Sequence, residues 1–248
     1  MRRALLVLLL LASGLAGVAA AQSGNAEAEA RFSIGIQHLK EGRADLAIET
    51  IKQAIKSDSK NAFFYTGLGD AYAAAKKYPE AIEAYRRALD LNPYYVDVKN
   101  HLGMALIFSG KRDEGKKEFL SAFNDPSNPT PEITARNLGQ AYFEEKNFAE
   151  ALNWYKTTTM RNKAYADGYL GAADALVAMG RIEDAITTLE GGAKEIPTDT
   201  ALFLALGEAY FRAGRFAEAR QKLELTAGKD PNGPAGRRAL DLLKNFPK

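Results

Sequence analysis

The segment FYTGLGDAYAAAKKYPEAIEAYRRALDLNP, residues 64–93, decides the fold of this chain. Two of its glycines, Gly67 and Gly69, stand two residues apart and are followed by Asp70, an arrangement that can open a nucleotide-binding loop. However, Tyr72 stands where the third glycine of a G-x-G-x-x-G motif would fall, and no β-branched strand precedes the pair. The glycine pair alone is a weak signal, so its meaning must come from the surrounding sequence.

Both halves of this segment carry the spacing of an amphipathic helix. Residues 65–72 place apolar or small side chains at i, i+3, i+4 and i+7, and a second such face follows Pro79, which is favoured in a first helical turn. A glycine inside a helix costs about 0.8–1 kcal/mol relative to alanine, so its presence needs a compensating gain. We expect Gly69 to let the two helices approach each other at Ala81. Gly67 lies outside the repeated pattern, and we interpret it as a tolerated small residue.

The glycine of the first helix recurs along the chain at a nearly constant interval. Successive positions are 34 residues apart, except for one interval of 36. They are Gly35, Gly69, Gly103, Gly139, Ala173 and Gly207. A small residue follows each of them after twelve positions, and a large apolar residue follows after sixteen. Self-similarity at this period indicates an array of structural repeats and argues against a phosphate-binding loop.

These columns resemble the tetratricopeptide repeat, a helix–turn–helix unit, over nearly all of the chain after residue 27. The resemblance implies an all-α fold, a right-handed α-solenoid of six repeats that ends in a C-terminal capping helix. The expected repeats are 28–61, 62–95, 96–129, 132–165, 166–199 and 200–233, and the expected capping helix is 234–248. A short polar segment, 22–27, is expected to be a flexible lead-in.

One loop departs from the repeat pattern. The stretch DPSNPTP, residues 125–131, contains three prolines and supplies the two-residue surplus in the spacing. Prolines at this density end the preceding helix and stiffen the loop. We favour a slightly longer turn in a continuous superhelix over a bend between the first three repeats and the last three.

The N-terminus predicts export. Residues 1–21 begin with two arginines, continue with an apolar stretch and end in small residues, which is the order of a secretory signal peptide cleaved before Gln22. The apolar stretch is short for a membrane span, so an uncleaved anchor is the weaker alternative, and no stable anchor is expected after cleavage. The chain has no cysteine for lipid attachment or a disulfide, and Pro129 blocks its one candidate glycosylation site. Together these features favour a bacterial periplasm over a eukaryotic secreted protein.

Charge and residue content argue against nucleic-acid binding and against catalysis. Two of the 33 basic residues would leave with the signal peptide, so 31 basic residues would balance 31 acidic ones. Nucleic-acid binding normally requires a basic face, so no such partner is expected. His38 is expected to be packed and His101 to lie on a helix surface, and two histidines without cysteine predict no metal or other cofactor. The sequence carries no familiar catalytic motif, and we interpret the protein as a non-enzyme.

The resemblance also implies where a partner would bind. In the family, the first helices of successive repeats line a concave groove that holds an extended peptide or a helix of a partner protein. The corresponding positions here are Phe32, Ile36, Asp70, Asn100, Met104, Phe108, Arg136, Gln140, Phe143, Asp174, Val177, Glu208, Phe211 and Arg212. Some relatives grip a C-terminal carboxylate through a set of Lys, Asn and Arg positions, and that set is absent here.

These features favour an exported scaffold that binds a protein or peptide within a bacterial envelope assembly. A self-associating structural module is the main alternative, because exposed helix faces can also stack between copies. An enzyme or a saccharide binder that uses the groove is the third hypothesis. The sequence leaves the oligomeric state open.

Overall fold

The computed structural model describes residues 26–246, and this part of the chain forms thirteen α-helices and no strand. The helices are α1 (26–40), α2 (Ala44–Ser57), α3 (Ala62–Ala74), α4 (Tyr78–Leu91), α5 (Val96–Phe108), α6 (Arg112–Phe123), α7 (Pro131–Glu144), α8 (Phe148–Arg161), α9 (Ala166–Ala178), α10 (Ile182–Glu195), α11 (Thr200–Arg212), α12 (Phe216–Lys229) and α13 (Pro234–Lys244). The predicted all-α repeat fold is therefore confirmed. The predicted signal peptide, residues 1–21, and most of the lead-in lie outside the described residues.

A tight turn joins the two helices of each pair at a residue with positive φ. This residue is a glycine in four turns, at φ between 74° and 86°, and a lysine in the other two, Lys76 (58°) and Lys146 (60°). Backbone amides then bond back to the first helix: Lys76 N donates to Ala73 O (2.9 Å), and Lys77 N donates to Tyr72 O (2.9 Å). The left-handed residue thus closes the helix end and reverses the chain, because it satisfies carbonyls that have no partner within the helix.

The helices form two compact units, which within the described residues are 26–118 and 119–246, and the division falls inside α6. The largest fully buried side chains of the first unit are Ile51, Phe64, Tyr85, Val98 and Leu106. Those of the second unit are Phe119, Leu138, Ile186, Leu189, Leu202, Leu206 and Leu223. Apolar side chains from neighbouring helices therefore build a core within each unit, as the repeat pattern predicts.

The glycines of the first helices admit a large side chain from the second helix of the same pair. A Cβ atom added at Gly69 would lie 2.4 Å from the ring of Tyr85, and one added at Gly139 would lie 2.9 Å from the ring of Tyr155. Real Cβ atoms essentially never come this close to another heavy atom, so only glycine fits at these two positions.

The sequence indicated Ala81 as the residue that Gly69 admits, and the ring of Tyr85, sixteen positions after the glycine, supplies the nearest atoms. The residue twelve positions on also lies close in another pair, since a Cβ atom added at Gly115 would lie 2.7 Å from Gly103 O.

Gly67 also has a packing role, although it lies outside the repeated column. A Cβ atom there would lie 2.5 Å from the ring of Phe32 and 3.2 Å from Cδ1 of Ile36. Phe32 in turn stacks on Phe64, with ring centroids 4.8 Å apart. The interpretation of Gly67 as merely tolerated is therefore wrong, because this glycine admits an aromatic ring from the preceding repeat.

The proline-rich loop before α7 is ordered by Asn128, whose residue is 9% exposed. Its Nδ2 donates to Ala122 O (2.8 Å) and Thr134 Oγ1 (3.2 Å), and its Oδ1 accepts from Thr130 N (2.9 Å). A buried amide with these partners holds the longer turn in one conformation. Helix α6 ends at Phe123, as the density of prolines after it predicts.

The last helix, α13, covers one end of the second unit. Its residues Ala235 and Ala239 are buried. Phe246, just after the helix, meets the rings of Phe211 and Phe216 edge-on, with centroids 5.3 Å and 6.2 Å away. These contacts extend the apolar core past α12, which is what a terminal capping helix provides in a repeat array.

Candidate functional site

Ten of the fourteen residues predicted to face a partner line three cavities. The first cavity, of about 230 Å³, is lined by Asp70, Ala73, Tyr78, Tyr85, His101, Met104, Ala105 and Phe108. The second cavity, of about 250 Å³, is lined by Arg136, Gln140, Phe143, Tyr155, Asp167, Leu170, Gly171 and Asp174. The third cavity, of about 340 Å³, is lined by Glu208, Phe211, Arg212, Leu223, Arg238, Leu242, Asn245 and Phe246. The first cavity belongs to the first unit, and the other two belong to the second.

The other four predicted residues contribute mainly to packing. Phe32 and Asn100 are only 7% and 6% exposed, and Ile36 and Val177 are half-buried against the apolar cores. The structure therefore gathers the predicted residues into separate groups. It opens space beside ten of them and packs the remainder between helices.

Asp70 is the centre of a hydrogen-bond cluster in the first cavity. Its Oδ1 accepts from the Tyr85 hydroxyl on α4 at 2.7 Å and from His101 Nδ1 on α5 at 2.9 Å. The rings of Tyr85 and His101 meet edge-on, with centroids 5.7 Å apart. Three consecutive helices from two repeats thus meet at a single carboxylate oxygen.

The cluster changes the protonation behaviour of both donors. The hydrogen bond to Asp70 raises the pKa of His101, although burial acts in the opposite direction. Burial, reinforced by the charge of Asp70, raises the pKa of Tyr85 far above its ordinary value. Tyr85 therefore remains a hydrogen-bond donor near neutral pH, while His101 becomes cationic at a higher pH than an isolated histidine does.

Aromatic and thioether side chains form the walls of the first cavity. The rings of Tyr78 and Phe108 stack with centroids 5.3 Å apart, and Phe108 is 55% exposed. Met104 lies one turn before Phe108 on α5 and lines the same cavity. The cavity thus combines apolar walls with the carboxylate of Asp70.

The second cavity is more polar and has a different hydrogen-bond pattern. The Tyr155 hydroxyl donates to Gln140 Oε1 at 3.1 Å, and Gln140 Nε2 donates to Glu144 Oε1 at 3.1 Å. Arg136 Nε forms an ion pair with Asp167 Oδ2 at 3.4 Å. Burial raises the pKa of Tyr155 to about 12, so this hydroxyl also remains protonated near neutral pH.

Asp174 is the second cavity's other carboxylate. Burial raises the pKa of Asp174, and the negative charge of Glu208 acts in the same direction, while the positive charge of Arg212 opposes both. Glu208 and Arg212 line the third cavity, so residues of that cavity contribute to the charge around Asp174.

The third cavity is predominantly apolar. Phe211 and Phe246 both line it in edge-on contact with each other, and Arg220 lies over the ring of Phe246 with its guanidinium carbon 4.8 Å from the centroid. Arg238 Nε and Glu208 Oε1 form an ion pair at 3.2 Å among the lining residues. An apolar side chain fits this chemistry better than a charged one.

The sequence pattern does not identify the tyrosines at the cavity floors as site residues. Their apolar spacing assigns Tyr85 and Tyr155 to the core, yet their hydroxyls reach Asp70 and Gln140. The signal that finds both pairs is the shared spacing of fifteen residues between acceptor and tyrosine. His101 lies on the helix surface as expected, with its side chain 45% exposed. The sequence did not predict its bond to Asp70.

Within residues 26–246, no group of three or more histidine, aspartate and glutamate side chains is placed to hold a metal ion. Nor does any helix there have both the length and the apolar character needed to cross a membrane. His38 is half-buried, and its Nδ1 has no hydrogen-bond partner among the described residues.

The chain is similar to known proteins over most of its length. The family model described as tetratricopeptide repeat matches residues 32–96 and 170–234, just over half of the chain. The chain is 22% identical over 164 residues to anaphase-promoting complex subunit 3 of Schizosaccharomyces pombe. It is 26% identical over 148 residues to the type IV pilus assembly protein PilF of Pseudomonas aeruginosa.

These alignments cover unequal shares of the proteins. They include 66% and 60% of this chain, but only 24% of the anaphase-promoting complex subunit and 59% of PilF. Among solved structures, the type IV pilus biogenesis factor PilW has a TM-score of 0.68 and 20% identity, over 86% of this chain and 98% of PilW. At this identity, the structural likeness shows a shared fold.

Proposed function

Because the chain belongs to the tetratricopeptide repeat family, we propose that it is a non-enzymatic scaffold that holds a protein or peptide partner against its first helices. The first helices are α1, α3, α5, α7, α9 and α11, and they carry all fourteen residues predicted to face a partner. We propose the six helix pairs from α1–α2 to α11–α12 as the six repeats, and α13 as their cap.

The arrangement of the cavities is the observation that carries this proposal. Each cavity is bounded by at least one first helix, and a side chain from a second helix forms its floor: Tyr85, Tyr155 or Leu223. The second and third cavities lie in one unit and suit a partner segment that inserts a side chain into each. The cavities differ in charge and polarity, so each cavity would select a different type of partner side chain.

We also propose that the scaffold acts in a bacterial envelope assembly, such as a pilus, secretion, outer-membrane insertion or wall-synthesis complex. Two observations support this setting. Residues 1–21 have the composition of a signal peptide, and the chain is similar to PilF, which is a pilus assembly protein in Pseudomonas aeruginosa. The balanced charge of the chain after residue 21 makes a protein partner more suitable than a nucleic acid.

Partner recovery from intact cells tests the proposed surface. One exposed or cavity-lining residue from each group is changed, in the triple variant Phe108→Ser, Asp174→Asn and Arg212→Ser. Proteins crosslinked in cells are then purified with the variant and with the wild type and quantified by mass spectrometry. Because a few central contacts carry most of an interface's binding energy, the variant should recover the partner roughly tenfold less efficiently.

A matched control changes the same number of residues on the second helices. Glu83, Lys156 and Glu224 are exposed on α4, α8 and α12, and their replacement by serine should leave recovery unchanged. The proposal fails if the cavity variant recovers the partner as well as the wild type does while its melting temperature is unchanged. A concentration-dependent oligomer in light scattering, with no other protein crosslinked, would favour the self-associating module instead.

Export is tested separately by cell fractionation and N-terminal sequencing of the purified protein. The expected result is protein in the periplasmic fraction whose first residue is Gln22. Protein that stays in the cytoplasm would contradict the proposed setting, whereas envelope protein that keeps Met1 would favour the uncleaved anchor; either result would leave the binding surface untouched.

A further inference from the structure

The first cavity presents a carboxylate that internal hydrogen bonds do not fully cover. Tyr85 and His101 both donate to Oδ1 of Asp70, and 34% of the Asp70 side chain remains exposed. The two donors hold the carboxylate in a fixed position on α3. It is therefore preorganised toward the cavity before any ligand arrives.

The walls beside this carboxylate suit the stem and head of a long cationic side chain. Tyr78 and Phe108 present stacked rings, and Met104 adds a polarisable thioether on the same side. A cation within about 6 Å of an aromatic ring is attracted by the ring's quadrupole, while its aliphatic stem gains from apolar contact. Carboxylate and aromatic wall thus favour the same type of guest.

The balance of charge distinguishes this cavity from the other two. Among its described lining residues there is one carboxylate and one imidazole, and there is neither lysine nor arginine. Arg136 lines the second cavity, and Arg212 and Arg238 line the third. A cation entering the first cavity therefore meets no fixed basic side chain, whereas one entering either of the others does.

We propose that the first cavity binds the side chain of a lysine or arginine that belongs to an extended segment of the partner protein. This inference rests on the proposed scaffold function and names the residue type that the first unit selects. The guest's charged head lies against Asp70, and its stem lies along Met104 and Phe108. Neither an acidic nor a purely apolar side chain is complementary to both parts of the cavity.

The methionine methyl groups provide a direct readout of binding. Met104 lines the first cavity, whereas Met160 and Met179 lie in the second unit and serve as internal controls. The protein is labelled with ¹³C at the methionine methyls and titrated at pH 8 with the peptide acetyl-Gly-Ser-X-Ser-Gly-amide. The position X is lysine, arginine, acetyl-lysine or norleucine. We expect the lysine and arginine peptides to shift the Met104 signal, and the two uncharged peptides to bind at least about fivefold more weakly.

Two variants test the two parts of the proposed site. Asp70→Asn removes the charge but keeps an oxygen acceptor for Tyr85 and His101, so the fold should persist; we expect about fivefold weaker binding of the lysine peptide. Phe108→Leu removes one of the two stacked rings in the wall and should weaken binding of the same peptide. Glu224→Gln, at an exposed position of α12 in the other unit, is the matched control and should leave the titration unchanged.

The inference is overturned if norleucine shifts Met104 as strongly as lysine does, or if Asp70→Asn binds the lysine peptide as tightly as the wild type. It is also overturned if the lysine peptide shifts no methionine signal at any concentration tested. None of these results would affect the recovery of a partner in cells through the other cavities. Failure of this specificity is thus distinguishable from failure of the scaffold function.

Discussion

Tyr85 in the first unit and Tyr155 in the second occupy equivalent positions in their repeats, yet each donates to a different kind of acceptor. The acceptor fifteen residues earlier is the carboxylate of Asp70 at 2.7 Å in the first case and the amide oxygen of Gln140 at 3.1 Å in the second. Each ring covers a glycine of the first helix: Tyr85 lies over Gly69, and Tyr155 lies over Gly139. The two repeats share the packing of the tyrosine ring on the glycine, but only the first has a charged acceptor for the tyrosine hydroxyl.

The residue sixteen positions after each tyrosine differs as well. In the first unit it is His101, which meets the ring of Tyr85 edge-on and bonds to Asp70. In the second unit it is Gly171, where an added Cβ atom would lie 2.3 Å from the ring of Tyr155. The glycine lets the next helix approach the ring directly, so no side chain can complete a three-residue cluster there.

The comparison shows which parts of a repeat are free to vary. The glycine and the aromatic ring that fills its space hold two helices together. The acceptor, Asp70 or Gln140, lines the opening. Its substitution changes the charge of a cavity while the glycine and the ring beneath it stay in contact. Each repeat can therefore acquire its own specificity on a common framework.

Truncation of either tyrosine should have the largest effect. Tyr85→Ala and Tyr155→Ala each remove a buried ring from above a glycine, where no other side chain replaces it, and should cost about 3–5 kcal/mol of unfolding free energy. Urea denaturation followed by circular dichroism measures this cost. If both variants retain wild-type stability, the paired packing of glycine and tyrosine is not what joins the helices.

An attempt to build the first cluster in the second unit should be the next most damaging change. Gly171→His would drive its Cβ atom into the ring of Tyr155 and should destabilise the protein by about 1–3 kcal/mol, because an already filled space is overpacked. Gly191→Ala is the control, since nothing lies within 4 Å of a Cβ atom there. Because glycine at an exposed helix position is less favourable than alanine, this substitution should stabilise the protein by about 0.5–1 kcal/mol. A neutral Gly171→His would show that the second unit tolerates the histidine after all.

Removal of the hydroxyl groups alone should separate the two acceptors. Tyr85→Phe loses a hydrogen bond to a carboxylate and should cost about 2 kcal/mol, whereas Tyr155→Phe loses one to an amide and should cost about 1 kcal/mol. Both values come from the same denaturation experiment. Equal costs would mean that the charge of Asp70 contributes nothing to its bond with Tyr85.

The smallest effect should be the pH dependence that His101 contributes to the first unit. His101 faces Asp70 on α3, Tyr85 on α4 and Asp97 on its own helix, and the bond to Asp70 raises its pKa above the ordinary value of 6.5. A raised pKa means that the folded state binds the proton more tightly. The stabilisation is therefore complete below pH 6.5 and is lost as the pH rises through the raised value.

The half-exposed position of His101 keeps this stabilisation below about 1 kcal/mol because solvent screens the pair. The measured quantity is the difference in unfolding free energy between the wild type and His101→Gln, from pH 5.5 to pH 8.5. Gln140→Ala is the control, since the residues at positions 140 and 171 do not titrate, and its difference should stay constant. A His101→Gln difference that is equally flat would refute the proton linkage.

The sequence predicted the helices well because the necessary signals are local. The apolar face of residues 65–72 and the glycine column at 34-residue intervals place each helix and its buried side. The loop with three prolines was also identifiable, since proline ends a helix wherever it occurs. The first helices could therefore be identified as the carriers of the candidate site, and ten of the fourteen residues proposed for it line cavities.

Local sequence signals could not show which of several residues on the same helix face makes a given contact. Helical spacing puts Ala81 and Tyr85 on one side of α4, and only the crossing of α3 and α4 decides that the ring of Tyr85 reaches Gly69. Phe32 was expected to line a groove because the family resemblance assigns its helix position to the groove-lining face. In the structure it lies over Gly67, a contact that depends on the separation between two repeats.

The sequence by itself determined that this chain is an all-α array of helix pairs, because a regular column of small residues and a helical period are properties of neighbouring residues. The tertiary structure decided which residues meet: Tyr85 over Gly69, and His101 with Asp70, which is 31 positions earlier in the chain. Such meetings depend on helix crossing angles and on the stacking of one repeat against the next. Those quantities arise only when all the helices are packed together, and they decide the charge and shape of each cavity.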